Sequence, residues 1–591
     1  MSTGTFAKVD YPLSNLIQQI EFGEIGLPDI QRPFVWSTQQ VRDLFDSMYR
    51  GFPVGYLLFW VNSQADGGRQ IGSEPKQSKV PRLLIVDGQQ RLTSLYAVFK
   101  GIPVLTKDYE YKNIQIAFNP LKATFEVADA AIVRSAEYIP DISKLWTEQH
   151  TSYRAIRTYL DRLRSARLDE PVTEDEEHRA SEGIDRLFDL QNYSFTAMQI
   201  SPTVSEEQVA EIFVRINSKG VQLRQADFIL TLLSVFWDEG RMALETFSRL
   251  SRKPSHDNKP SPHNHFIQPE PDQLLRSAVA VGFKRARLQH VYSLLRGKDL
   301  DTGEFSDERR IQQFEILRVA QSHVLHLENW HSFLRTLMRA GFRGEKMITS
   351  DIGLMYAYAI YLIGKHEYGV EPSRLRNVMA RWFFMTSMTG RYTGSPETIM
   401  DADLARLRGV TDADGFIQTL DRIIEGELTN DFWNITLPNN LETSAARTPS
   451  LFAYYAALNL LNARALFSHV RISELLDPAL RGNRSSIERH HLFPKAYLSR
   501  LGYEDVREVN QAANYALVEW DDNVRIADQP PSYYFPKYAE RFTKKELDDM
   551  MWWHALPDRW YDMDYPAFLE QRRALMAEVT RRGFLTLLDH K

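Results

Sequence analysis

Residues 82–101, Arg-Leu-Leu-Ile-Val-Asp-Gly-Gln-Gln-Arg-Leu-Thr-Ser-Leu-Tyr-Ala-Val-Phe-Lys-Gly, change hydrophobic period halfway. Leu83 to Val86 is a short continuous apolar run of strand length, and Asp87-Gly88 is turn chemistry. After it Leu92, Leu95, Tyr96 and Phe99 recur at helical spacing until Gly101 stops the pattern. The stretch predicts strand, turn and helix, with Gln89, Gln90 and Arg91 at the helix N-terminus. Free backbone N–H groups and the positive end of the helix dipole favour an anion there, and Arg91 adds a fork-shaped cation suited to phosphate. Asp87 supplies a carboxylate for a metal or a polarised water. The plain alternative is an ordinary Asp-Gly turn whose polar residues only cap the helix. No Gly-x4-Gly-Lys-Ser/Thr occurs in the chain, so nucleotide handling here would not be of the P-loop kind.

Working outward, Tyr56 to Val61 reads as a second strand, and Ile114 to Phe118 with Ala123 to Val127 reads as a hairpin around Asn119-Pro120-Leu121-Lys122. From about 205 to 470 the pattern is helical almost throughout. Ser205 and Gln208 form a capping box ahead of Val209, Ile212, Phe213 and Ile216, and Thr173 with Glu176 forms another. Lys253 to Pro271 holds five prolines and three histidines and reads as an exposed loop. Near 476 short strand-like pieces return, before a closing helix over Tyr565 to Arg582. The expectation is an α+β chain, predominantly helical, in three parts: 1–235, 236–475 and 476–591.

The 591 residues carry 71 Lys+Arg against 77 Asp+Glu, with 43% hydrophobic residues, which fits folded globular domains rather than disorder or a rod. A net charge of −6 excludes a polycation that binds nucleic acid with its whole surface. The absence of cysteine excludes disulfides, Fe–S centres, thiolate zinc sites and a Cys nucleophile. The N-terminus has no apolar leader, and runs such as Leu354 to Ile363 are far short of the ~20 residues a membrane helix needs. A cytoplasmic protein with no membrane partner is expected.

A second constellation lies near the C-terminus. Glu488-Arg489-His490-His491-Leu492-Phe493-Pro494 is followed by Asn514-Tyr515-Ala516-Leu517-Val518 and then by Asp521-Asp522-Asn523. Phosphodiester hydrolysis needs a hard cation to stabilise the leaving oxygen and an imidazole to take a proton from water. Adjacent histidines on a strand point to opposite sides and can divide that labour. The alternative is a packed His pair with asparagine turns downstream.

Three segments, Pro28 to Trp36, Ile85 to Leu95 and Phe213 to Leu223, resemble successive signatures of the GmrSD-type, modification-dependent (type IV) restriction endonucleases. Their N-terminal domain is similar in fold to the ParB and sulfiredoxin group. The resemblance implies a site that binds and hydrolyses a nucleotide, formed by Asp87, Gly88, Gln89, Gln90 and Arg91, with Asp87 and Arg91 taking part in catalysis. Gln31 and Arg32 would join the same pocket. Arg215 and Asn217 could approach it, or could belong to an ordinary helix stop before Gly220. The later segment resembles the HNH, or ββα-metal, nuclease motif found at the C-terminus of the same family. By that likeness His490 would ligate a divalent ion, His491 would be the general base, Asn514 would position the base-bearing strand and Asn523 would complete the metal site. Asparagine rather than histidine at the last position favours Mg²⁺ or Mn²⁺ over Zn²⁺.

Residues 249–298 contain ten Lys or Arg against three acids. Lys284, Arg285 and Arg287 are the candidates for DNA phosphate contact, although such clusters are also ordinary solvated faces. Together these readings describe an NTP-responsive, metal-dependent DNA endonuclease that restricts foreign double-stranded DNA, phage DNA with modified bases or backbone. Its cofactors would be Mg²⁺ or Mn²⁺ and an NTP (GTP, ATP or UTP), and a homodimer stays open. The rivals are a nucleotide-gated DNA sensor whose nuclease site is inactive, and an RNA-directed toxin.

Overall fold

The computed structural model describes residues 6–26, 34–61, 81–106, 110–147, 151–167, 171–204, 208–209, 212, 225–255, 259–299, 302–445, 447–478 and 487–588. The chain falls into two compact units, Met1–Asp238 and Glu239–Lys591. The Ser205 capping box, Gln31, Arg32, Arg215 and Asn217 lie outside the described residues.

The first unit is built on a mixed five-stranded sheet. Its strands are β1 (Phe6–Pro12), β2 (Ile25–Gly26), β3 (Leu57–Val61), β4 (Leu83–Asp87) and β9 (Ser194–Ile200), in the order β1-β9-β3-β4-β2. β1 and β9 are antiparallel, as are β3 and β4, whereas β9 with β3 and β2 with β4 run parallel. Helices pack with this sheet around one core, among them α1 (Leu13–Glu21), α2 (Thr38–Tyr49) and α3 (Gln89–Lys100). Leu13, Val41, Phe45, Phe59, Leu83, Ile85, Leu92 and Leu95 are among its buried members. A fully buried Leu or Phe of this kind contributes about 1.5–3 kcal/mol. α2 starts where Ser37 Oγ accepts from the Gln40 N–H and Gln40 returns the bond to the Ser37 N–H. Two short pairs complete the strands: β5 (Val104–Leu105) with β6 (Tyr111–Lys112), and the hairpin β7 (Ile116–Asn119) with β8 (Thr124–Val127). The Thr173–Glu176 capping box opens the helix Glu174–Phe188.

The second unit is helical for most of its length. The helix α4 (Asp351–His366) is apolar on nearly every side and lies in the interior, buried from Gly353 to Gly364. That explains its composition without a bilayer; no helix among the described residues is long and apolar enough to cross a membrane. The Pro-rich stretch has no helix over its described residues 253–255 and 259–270. Late in the unit β10 (Ile487–His491) pairs antiparallel with β11 (Tyr515–Glu519), and a helix, α6 (Trp520–Ile526), follows at once. The long helix α7 (Tyr565–Thr586) packs along α5 (Pro449–Leu460). The approach is close: a Cβ at Gly583 would fall 2.5 Å from the Ala457 methyl.

Candidate functional site

The turn after β4 is set by Gly88, whose φ of 96° belongs to the left-handed region. A side chain there would also strike Leu57, with 2.5 Å between the added Cβ and Leu57 Cδ2. The chain therefore reverses tightly, and α3 begins at Gln89 immediately beyond Asp87. Arg91 then turns back beneath the loop that precedes β3. Its Nη1 donates to the Val54 carbonyl at 2.6 Å and its Nη2 to the Tyr56 carbonyl at 2.8 Å. Nη2 also lies 3.6 Å from Asp87 Oδ2, the guanidinium being 16% exposed and the carboxylate 35%. Burial pushes the Arg91 pKa down, and the Asp87 charge opposes that. Gln90 Oε1 accepts from the Val35 N–H at 3.0 Å, tying the helix start to the residues before α2. Asp87, Gly88, Gln90 and Arg91 are thus gathered at one turn beside the half-buried Gln89. The guanidinium fork, which the sequence reading directs at a phosphate, is directed at two backbone carbonyls.

In the second unit the strand alternation separates the two histidines. His490 is 3% exposed, and its Nδ1 lies 2.8 Å from Asn523 Oδ1 on α6. Its ring meets Tyr534 edge-on, 5.7 Å between centroids. Burial holds its pKa down at about 4, so the imidazole is neutral, as a metal ligand must be. Its Nε2 is buried without a hydrogen-bond partner among the described residues. His491, opposite Tyr515 in the register, packs against that ring at 4.6 Å and places Nε2 3.0 Å from Asn510 Oδ1. Burial lowers its pKa, the bond to Asn510 opposes this, and the positive charges of Lys495 and Arg489 lower it further. Arg489 and Lys495 are themselves exposed.

Asn514 is fully buried and spends its carboxamide on backbone. Oδ1 accepts from the Phe493 N–H at 2.9 Å, and Nδ2 donates to the Phe493 carbonyl at 3.0 Å and to the Val509 carbonyl at 3.1 Å. It clamps the end of the His-His strand to the loop before β11 and contributes through position. Tyr534 supports the same strand by donating to the Leu492 carbonyl at 2.7 Å.

A divalent cation implied by this motif would be held by His490 and Asn523, whose Nδ1 and Oδ1 lie 2.8 Å apart; the Nδ1 hydrogen that now bridges them would have to leave for both atoms to bind the ion. Among the described residues no cluster of three or more His, Asp or Glu could hold an ion, and Ala527, one turn beyond Asn523, carries no donor. The pair fits a hard ion that takes its remaining ligands from water and phosphate.

Two further residues matter that no sequence motif marks. Asn510 carries no motif signal. Arg572 of α7 is fully buried and donates to the carbonyls of Ala513 at 2.5 Å, Tyr515 at 2.8 Å and His554 at 3.2 Å. It thereby holds the residues on both sides of Asn514. Burial lowers its pKa, and neighbouring Tyr454 opposes that. Its signal was position: Phe568, Leu569, Arg572 and Met576 share one helical stripe.

Of the DNA-contact candidates, Lys284 donates to the Val281 carbonyl and lies 2.5 Å from the Glu367 carboxylate, so its charge is matched inside the unit. Arg287 is exposed and Arg285 half-buried. The turn carrying them is pinned by Asp401, whose Oδ1 accepts from the Ala286 N–H at 2.8 Å.

Comparison with known proteins bears on the first unit most directly. Residues 13–234 match the family described as GmrSD restriction endonuclease, N-terminal domain. Over 572 residues the chain is 21% identical to an uncharacterized protein of Methanocaldococcus jannaschii, covering 91% of this chain and 88% of that protein. From residue 13 to residue 234, then, the chain is similar to the N-terminal domain of the GmrSD restriction endonucleases.

Proposed function

We propose that this chain is an NTP-responsive, divalent-metal-dependent DNA endonuclease that cuts foreign DNA, with modified phage DNA as its substrate class. The observation that carries the reading is the division of labour on β10: buried, neutral His490 meets Asn523, while His491 on the other face lies near the exposed cations Arg489 and Lys495. The similarity of residues 13–234 to a restriction-endonuclease domain supplies the substrate class.

In this reading Arg489 and Lys495 seat the phosphodiester beside His491. The imidazole takes a proton from water, the water oxygen bonds to phosphorus, one P–O ester bond breaks, and the departing oxygen is protonated from solvent. A divalent ion at His490 and Asn523 would supply positive charge for the phosphoryl group and the leaving oxygen. In the first unit the nucleotide would sit at the start of α3, facing Asp87 and Gln89. Arg91 fixes the Val54–Tyr56 loop there through two of its N–H groups.

The test is digestion of unmodified, glucosylated-hydroxymethylcytosine and phosphorothioate DNA with Mg²⁺ or Mn²⁺, each with and without the four NTPs. His491→Ala lowers nicking by orders of magnitude and leaves NTP hydrolysis; Asp87→Ala does the reverse. Loss of both activities from either change contradicts two separate sites. A second reading, a nucleotide-gated DNA sensor that recruits a partner, is favoured by the sparse ligand set at His490. Metal-dependent nicking by the pure protein disposes of it, and parallel digestion of RNA separates an RNA-directed toxin.

A further inference from the structure

The imidazole of His491 is held by a carboxamide outside the motif. Asn510 stands where the chain leaves the short helix Val506–Val509, its own N–H bonded to the Val506 carbonyl at 3.0 Å. Asn514 fixes the preceding residue through the Val509 carbonyl, and fixes the far end of the His-His strand through both backbone groups of Phe493. The loop bearing Asn510 and the strand bearing His491 are therefore locked to one another. Across that lock Asn510 Oδ1 lies 3.0 Å from His491 Nε2, and the Tyr515 ring restrains the imidazole from the side. An amide oxygen only accepts, so Nε2 carries the hydrogen and the lone pair is left on Nδ1.

We propose that Asn510 is the positioning residue of His491, selecting the tautomer with its hydrogen on Nε2 and aiming the Nδ1 lone pair at the attacking water. The inference rests on His491 being the general base. As water gives its proton to Nδ1 and its oxygen bonds to phosphorus, the imidazolium keeps Nε2–H on Asn510, whose neutral carboxamide neither gains nor loses a proton.

The test uses the full-length chain and nicking kinetics over a range of DNA concentrations. Asn510→Ala lowers kcat about 10–100-fold, the range seen for lost orienting partners, with KM changed less than about twofold and the melting temperature unmoved. Asn510→Asp, which keeps an acceptor, restores kcat to within about fivefold of the parent. Placed on His491→Ala, Asn510→Ala lowers the residual rate by less than about twofold, because it acts through the absent imidazole. A parental kcat in Asn510→Ala overturns the proposal. So does a loss in Asn510→Asp as deep as in Asn510→Ala, because the amide would then be a donor. Should Asn510→Ala fail to fold, Asn510→Leu, closer in volume, is read by the same criteria. Parental nicking by His491→Ala overturns instead the assignment of the base.

Discussion

The Asp87–Arg91 turn and the His490–His491 strand are both short polar motifs at the end of a β-strand, and they commit their side chains in opposite ways. In the first, the strongest cation is consumed by the fold: Arg91 holds two carbonyls and faces Asp87. In the second, the fold consumes a different residue, Asn514, and each imidazole keeps one nitrogen outside the hydrogen bonds described for it. A motif residue is thus spent on structure or available for chemistry according to what else nearby can satisfy the backbone. Where Asn514 and Arg572 carry that duty, the histidines do not have to.

The comparison breaks most sharply on His491→Ala. Loss of the proposed general base is expected to lower nicking by about 10²–10⁴-fold and to leave NTP hydrolysis at the parental rate, measured on the same preparation. Arg572→Met comes next. It strands three buried carbonyls and lowers the stability of the second unit by about 3 kcal/mol, read as earlier hydrogen exchange around 513–515 with the first unit unaffected.

Acid separates the units as well. His490 and His554 are buried with pKa values pushed down to about 4 by burial, well below the value near 6.5 of an unfolded chain. Such a group binds its proton more readily unfolded, so its stability is complete above about pH 6.5 and is lost as pH falls toward 4, about 3 kcal/mol for each histidine. Among the described residues of the first unit, the one histidine, His178, is exposed. Urea midpoints followed by hydrogen exchange should therefore drop between pH 7 and pH 4.5 for the second unit more than for the first. Gly88→Ala has a smaller effect, about 1–2 kcal/mol on the first unit, from a positive φ and the contact with Leu57. Smallest is Lys495→Ala: it weakens binding evenly across DNA sequences and reduces the slope of log affinity against log salt by about 1.

The local elements were legible because each is short in sequence. The strand, turn and helix over 83–100 and the hairpin at 116–127 follow from period and turn chemistry in windows of a dozen residues. The sheet order was not legible: β9 inserts between β1 and β3 from far along the chain, and only long-range pairing decides that. In the second region the histidines and Asn523 stand out by residue type. Asn510 does not, because an asparagine ending a short helix is common and its value lies in a contact 19 positions back. Lys284 reads as a solvent-facing cation because the acid that matches it, Glu367, stands just past the end of α4, far along the chain.

Arg572 also sets an order of events in time. Two of the three carbonyls it grips belong to residues made more than fifty positions earlier, at 513 and 515. While the ribosome is still upstream of residue 572, the nascent chain already contains both histidines but lacks the donor that closes the shell around them. The His490–His491 strand is translated well before Arg572 is available, so a product truncated in that interval would carry both histidines without the donor that holds residues 513 and 515.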